Sequence, residues 1–351
     1  MRIFNHLQQA LGPQVGSGPD ACLYFGGTAY LGIPRDENFL KYYLEGIRIF
    51  GLNNGTSRAN NVQLGIYDEA ESIAASRFGA ENALITSSGY LAAQMTLNHF
   101  KHWGEALYAP DTHPALWING RPEVHLPFEQ WKEEIIQTIQ NSSKKHWVVI
   151  SNGLNNLLPE RYDFSFLSRL SQDKQILLIV DDSHAIGILN GGLGNYKTLP
   201  RKKNIHVLVL ASMAKALGVD AGLILGSNAL IRSLKQTNEF QGASPPSAAG
   251  LFAFMQSEQL YLRQQEKLLE LSGYFLKQLD AFGHHFSYTD DFPVYLSRRD
   301  GMSDLLLKQN ILISSFAYPD RTGPLLDRIV LSSWHEKKDL DFLLAKLKAW
   351  N

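Results

Sequence analysis

Ile176 to Gly187 reads ILLIVDDSHAIG, five apolar residues running directly into a cluster of ionisable groups. An unbroken Ile/Leu/Val run is what a strand buried on both faces of a parallel sheet requires, and ligands of such sheets sit beyond the carboxyl ends of the strands. Asp181 and His184 therefore stand where a site is expected. Downstream, HVLVLASMAKALG (206–218) repeats the arrangement: His206 to Leu210 predicts a second buried strand, with Ser212 and Lys215 at its carboxyl end. In isolation an Asp and a Lys displayed this way read as a salt bridge closing the top of a sheet.

Around this centre the 351-residue chain is long enough to bury a substantial core, and one large and one small domain are expected. Its 33 basic and 34 acidic side chains nearly cancel, so charge points neither to nucleic acid nor to an anionic membrane. An anionic ligand must then be bound locally. Cys22 is the single cysteine, which excludes an intrachain disulfide, and no Cys/His spacing resembles a zinc site, so no metal is expected. The start, MRIFNHLQQALG, has neither an apolar signal core nor an Arg/Ser-rich transit pattern, and no segment reaches the roughly 20 apolar residues of a bilayer span. The expectation is a cytoplasmic protein.

The first forty residues are Gly-rich and read as irregular, ending in Tyr30-Leu31-Gly32. Asp36 is placed to cap a helix through about Ile49, and GLNNGTSRANN (51–61) reads as a loop. Ile66 to Phe78 has the apolar spacing of an amphipathic helix, and Ala83-Leu84-Ile85 begins a large α/β domain. Ser87-Ser88-Gly89-Tyr90 then opens a helix from Leu91 to about Phe100, whose free N–H groups would face an anion. Such strand-turn-helix junctions commonly carry Ser and Gly, so this signal is weak by itself. Leu107 to Ala109 is a short strand leading to PDTHPA (110–115); a lone histidine such as His113 reads more often as a structural hydrogen-bonder. A helix over Phe128–Gln140 and a strand over Trp147–Ile150 lead to Ser151-Asn152-Gly153-Leu154.

Beyond the two central strands, Ala221 to Gly226 is apolar, and a helix from Asn228 carries Arg232 and Lys235. FQGASPPSAAG (240–250) precedes a helical stretch from Ser247 to about Phe282, and strands are predicted at Pro293–Leu296, Ile311–Ser315 and Arg328–Ser332. Alternating strands and helices argue for a mostly parallel sheet with right-handed crossovers. The boundaries expected are an N-terminal segment over 1–50, a large domain over 51–256 and a small α/β domain over 257–351.

VDDSHAIGILNGGLG followed by ASMAKALG resembles the fold-type I pyridoxal-phosphate enzymes. Within them it is similar to the α-oxoamine synthases, which include 8-amino-7-oxononanoate synthase, 2-amino-3-ketobutyrate CoA ligase, 5-aminolevulinate synthase and serine palmitoyltransferase. D-x-x-H, G-x-G and S-x-x-K-A-x-G in this order carry the resemblance, which extends from about Tyr30 to the C-terminus. It implies an α/β fold-type I transferase with a mostly parallel central sheet flanked by helices, a smaller C-terminal domain, and pyridoxal 5'-phosphate as cofactor.

That cofactor needs a lysine amine, an acid for the pyridine nitrogen and a phosphate clamp. The resemblance implies Lys215 as the covalent attachment, Asp181 at the ring nitrogen, His184 at the ring hydroxyl, and Ser88, Gly89, Tyr90 and Ser212 around the phosphate. His113 corresponds to the histidine that stacks on the ring, a position where aminotransferases use another aromatic residue. Arg328, seven residues before His335, stands for the arginine that binds the substrate carboxylate; its planar fork orients a carboxylate better than Lys does. The loop at 51–61 and the turn holding Ser244 are implied to face a partner subunit, which predicts a homodimer.

Departures from the family pattern are specific. Ala29 replaces an Asn, Tyr67 a His, and Asn152 a carboxylate. Asn156 stands for the Ser that reaches the ring hydroxyl, and Gln241 to Ala243 lack the hydroxyls that pass to the neighbouring phosphate, which leaves Ser244 as the local candidate to bind it. The implied reaction is decarboxylative condensation of a small amino acid with an acyl thioester, acyl-CoA by the resemblance alone. VDDSH most resembles the V-D-D-A-H of 8-amino-7-oxononanoate synthase, which favours alanine and a pimeloyl-type donor. Transamination or aldol cleavage with the same Lys and Asp is one alternative, and a non-catalytic partner subunit is another.

Overall fold

A computed structural model of the chain describes residues 4, 6–279, 285–318 and 322–348. The strands are β1 (Gln14–Val15), β2 (Cys22–Phe25), β3 (Asn82–Thr86), β4 (Glu105–Tyr108), β5 (His146–Asn152), β6 (Leu154–Asn155), β7 (Glu160–Arg161), β8 (Gln175–Asp181), β9 (Ile205–Ser212), β10 (Gly222–Gly226), β11 (Phe286–Ser287), β12 (Val294–Ser297), β13 (Ile311–Ala317) and β14 (Leu325–Val330). The helices are α1 (Glu37–Phe50), α2 (Ile66–Phe78), α3 (Gly89–Phe100), α4 (Phe128–Asn141), α5 (Asn228–Lys235), α6 (Asn238–Gly242), α7 (Ala248–Gln256), α8 (Glu258–Leu279), α9 (Met302–Leu307) and α10 (Lys337–Lys348).

The central sheet has the order β3-β10-β9-β8-β5-β4, and β10 is the strand that runs against its neighbours. In β8 the five apolar residues divide between two cores with the period of a strand. Ile176, Leu178 and Val180 join a cluster with Phe78 of α2, Trp131 and Ile135 of α4 and Leu251 of α7. Leu177 and Ile179 join another with Ala92 and Met95 of α3 and Ile231 and Leu234 of α5. Each full burial is worth roughly 1.5–3 kcal/mol. Helices thus cover both faces, which is why this strand shows no polar alternation.

Helix α2 has the bounds its apolar spacing predicts, and Asp36 caps α1 by accepting from the N–H groups of Asn38 and Phe39 at 2.8 and 3.1 Å. The stretch predicted as one helix from Ser247 is two. Buried Ser257 leaves the helical well at φ −101° and ψ 15° and bonds back to Phe254, so α7 stays against α1 and α2 while α8 starts afresh. The end expected near Phe282 lies outside the described residues.

The second sheet has the order β1-β2-β13-β14-β12-β11 and joins both ends of the chain. The first forty residues are therefore not irregular throughout: β2 runs parallel to β13, with Leu23 opposite Ile311 and Phe25 opposite Ile313. His335 fastens this arrangement. Its Nδ1 accepts from Ser332 N–H at 3.0 Å, its Nε2 is 2.9 Å from Tyr24 O, and its ring stacks on Phe25. Burial holds the imidazole at about 4, well below its ordinary value, so it stays neutral.

Candidate functional site

Strands β8 and β9 lie side by side and parallel, so their carboxyl ends deliver side chains to one place. Asp181 ends β8, and its Oδ1 accepts from the Ser183 N–H at 2.9 Å, closing a short turn. Ser183 Oγ in turn accepts from Ser212 N–H at 2.8 Å, which ties the turn to the end of β9. The following loop is pinned at its base by Met213 N–H to Ala221 O at 2.9 Å and projects Lys215 toward the turn. Lys215 Nζ lies 2.8 Å from His184 Nε2. Burial pushes the lysine below its ordinary value while the Asp181 charge pulls the other way.

The adjoining Asp182 has a different task. It is fully buried, and its carboxylate accepts from the backbone N–H and the Nδ2 of Asn195 at 2.5 and 2.7 Å. Gly153 packs here: a Cβ would lie 2.2 Å from Asp182 Oδ1. Burial, against the Asn195 hydrogen bonds, raises Asp182 to about 6. The folded value exceeds the unfolded one, so this group's contribution to stability is complete below about pH 4 and lost as pH rises through 6. Asp182→Ala is expected to cost about 1–3 kcal/mol by orphaning the Asn195 donors. The stability gap between wild type and variant should narrow from pH 4 to 6.5 and stay flat above, read from urea unfolding; a gap that widens would count against this account.

Across from Lys215, a cavity of about 390 Å³ is lined by His113, Asn156, His184, Lys215 and Arg328 among the expected residues, together with Thr28, Asp111, Arg121, Phe316 and Tyr318. His113 caps the short Pro114–Leu116 turn: its Nδ1 accepts from Ala115 N–H at 3.1 Å, which places the ring proton on Nε2. Burial lowers its pKa, and the Asp181 charge opposes that. Asn152, where the family has a carboxylate, donates to Asp111 O at 2.7 Å and accepts from His113 N–H at 3.1 Å. A carboxylate cannot donate, so the amide is what fastens both sides of this loop.

Arg328, on β14, is 6 % exposed. It donates from Nη1 to Asn156 O at 2.5 Å and lies over the Phe316 ring at 4.8 Å, while its Nε has no hydrogen-bond partner. Among the described residues no carboxylate pairs with it. Asn156 lines the cavity, and its carbonyl is the group bound to Arg328.

Ser88, Gly89, Tyr90, Asp181 and Ser212 are not on that cavity wall. Ser88 caps α3, accepting from Leu91 N–H at 3.1 Å, so the N–H groups of Gly89 and Tyr90 are unused by the helix. Gly89 sits directly on Ser212: a Cβ would lie 2.7 Å from the serine Cβ. The helix start and the end of β9 thereby form one polar corner beside Lys215. Tyr90 is 63 % exposed. Ser244 is exposed and also off the wall, in the turn before α7.

Residues not marked from the sequence complete the site. Tyr30, fully buried, bonds to His184 Nδ1 at 2.7 Å. Asp111 accepts from Asn155 Nδ2 at 3.0 Å and from the Tyr318 hydroxyl at 3.2 Å. Tyr30 stands in a quoted motif and Asp111 two residues before His113, yet nothing local reveals partners 154 or 207 positions away. Among the described residues no group of His, Cys, Asp and Glu side chains is placed to hold a metal, and no helix is long and apolar enough to cross a membrane.

A family model for aminotransferase class I and II matches residues 44–347. An 8-amino-7-oxononanoate synthase of Petrotoga mobilis is 24 % identical over 97 % of this chain and 91 % of its own length. One from Coprothermobacter proteolyticus is 26 % identical over 93 % and 87 %. A solved structure described as SPT with PLP internal aldimine superposes with a TM-score of 0.80 at 17 % identity, covering 98 % of this chain and 91 % of that one. The likeness shows the fold-type I architecture, and the curated relatives support the resemblance to the α-oxoamine synthases.

Proposed function

The chain belongs to the aminotransferase class I and II family, and from that premise we propose that it is a pyridoxal-phosphate-dependent acyltransferase of the α-oxoamine synthase type. The observation that carries the reading is Arg328, a buried guanidinium without a carboxylate partner among the described residues, lining the same cavity as Lys215. A buried cation of this kind calls for an anionic ligand.

The residues present fit the cofactor. Lys215 would hold it covalently, Asp181 its ring nitrogen and His184 its ring hydroxyl, with Asn156 close by. The free N–H groups of Gly89 and Tyr90 with the hydroxyls of Ser88 and Ser212 would take its phosphate. When bound, pyridoxal phosphate supplies an electron sink for the pair left at the amino acid's Cα.

Arg328 binds the α-carboxylate and fixes which Cα bond is aligned for cleavage. Lys215 Nζ removes the Cα proton and later returns one; its depressed pKa suits a base. Neutral His113, opening into the cavity from the Asn152-fastened loop, would cover the cofactor ring and add no charge of its own. The nucleophilic carbon then meets an acyl thioester, the thiol departs and carbon dioxide is lost. Alanine with a pimeloyl-type thioester is the substrate pair favoured by VDDSH and by the named relatives. Incubating the loaded protein with Ala, Gly or Ser, with and without acyl-CoA thioesters, should release thiol and carbon dioxide in equal amounts. Amino transfer to a keto acid without thiol release would move the assignment to transamination.

A homodimer is part of this reading. The loop at 51–61 is tied to the end of α6 by Ala59 N–H to Gln241 O at 3.2 Å, and Tyr67 of α2 donates its hydroxyl to Pro246 O, just beyond Ser244, at 3.4 Å. Tyr67 lies under the Arg58 guanidinium at 4.9 Å, so in place of a histidine it packs this patch together. Leu40, Leu44, Leu52 and Val62 are exposed on the neighbouring surface. Light scattering is expected to give a two-subunit mass. A stable monomer with full turnover would refute the dimer.

A further inference from the structure

Tyr30 lies between β2 and α1 at 2 % exposure, behind the wall from which His184 reaches the cavity. Its hydroxyl is 2.7 Å from His184 Nδ1, and the other ring nitrogen is 2.8 Å from Lys215 Nζ. The three side chains form one hydrogen-bonded row whose proton direction is fixed by counting donors. A phenol has one proton, and among the described residues His184 is the hydrogen-bond partner of the Tyr30 hydroxyl. If Nδ1 carried the imidazole proton, it would donate to the phenol oxygen and leave the phenol's own proton buried without an acceptor. If the phenol donates, Nδ1 is the acceptor and the imidazole proton sits on Nε2, facing Lys215. The lysine nitrogen can accept that proton's hydrogen bond only as a free amine.

We propose that Tyr30 is a positioning residue that fixes the tautomer of His184 and, through it, holds Lys215 as an uncharged amine. The groups acting on the row divide. Burial lowers both His184 and Lys215, and the Arg328 charge further disfavours an imidazolium. Asp181 is the carboxylate acting on Lys215, and it favours the ammonium. The Tyr30 row therefore works against Asp181. Because only a free amine adds to a carbonyl carbon, Tyr30 would govern how readily Lys215 takes up its cofactor. That consequence rests on the cofactor reading above; the tautomer itself does not.

The test uses the cofactor-free protein labelled with ¹⁵N-histidine and ε-labelled lysine, with resonances assigned by their loss in His184→Gln and Lys215→Arg. Long-range ¹H–¹⁵N spectra of wild type should show His184 protonated on Nε2 and bare on Nδ1. Tyr30→Phe should lose that single tautomer and move the Lys215 midpoint upward. With 3-fluorotyrosine at position 30, ring and hydroxyl are retained and the more acidic donor should shift the Nδ1 resonance further. A wild-type Nδ1–H, or a tautomer and midpoint untouched by Tyr30→Phe, overturns the proposal; if that variant does not fold, an unmoved Nδ1 resonance in the fluorinated protein does so. Failure of the acyl-thioester panel would leave this outcome unaffected.

Discussion

Lys215→Ala is expected to lose covalent cofactor capture and to lower turnover by at least about 10³-fold, because on the proposed reading one side chain supplies both the attachment and the base. In wild type, adding pyridoxal phosphate should give a visible absorption band, and borohydride should tag one peptide, the one containing Lys215. The variant should give no tagged peptide. The size of the effect follows from geometry: Lys215 is the lysine on the cavity wall and the one hydrogen-bonded to His184. A tag on any other lysine of the wild type, or a variant with near-normal turnover, would sink the assignment.

Substitution of Arg328 should separate function from stability. Arg328→Met is expected to reduce kcat/KM for the amino acid by roughly 10²-fold or more, the loss usual when one partner of a buried charge pair is removed. Arg328→Lys should recover only part of this, since an ammonium keeps the charge and loses the two-pronged geometry. In the cofactor-free protein the outcome should reverse. Arg328→Met removes a buried cation with no carboxylate partner and should leave the fold unchanged or more stable by up to about 2 kcal/mol, partly offset by the lost bond to Asn156 O and the Phe316 contact. Kinetics and urea unfolding of the same three proteins check both halves. A Met variant that is both active and strongly destabilised would make Arg328 a fold-holding residue.

What could be read from the sequence, and what could not, divides along the distance between partners. The two buried strands, the helix from Ile66 and the cap at Asp36 were legible because periodicity and capping are local. Lys215, Asp181, His184 and Ser212 were legible because they follow strands directly, and parallel pairing brings strand ends together. In the second sheet β12, β13 and β14 were legible as strands, but its joining of the two ends was not, since β2 carries too few residues to show a pattern and its partner β13 lies at the far end of the chain. Nor was the break at Ser257, where apolar spacing continues while the backbone turns. Asn152 reads as a lost carboxylate in sequence; its two-sided hydrogen bonding appears only once Asp111 and His113 are folded against it.

The pairing of β2 with β13 also sets an order of events during synthesis. Translation proceeds from the N-terminus, and domains generally form as their segments emerge. The residues from Asn82 to Gly226 that build the central sheet can assemble before Ile311 to Ile313 have been added. Cys22 to Phe25 cannot find their neighbour until Ile311 to Ile313 have left the ribosome, nor can Tyr24 O meet His335 before then. Tyr30 lies just beyond β2, so the row through His184 to Lys215 waits on the same closure. Throughout translation Lys215 is without its finished surroundings, which close only when β2 meets β13.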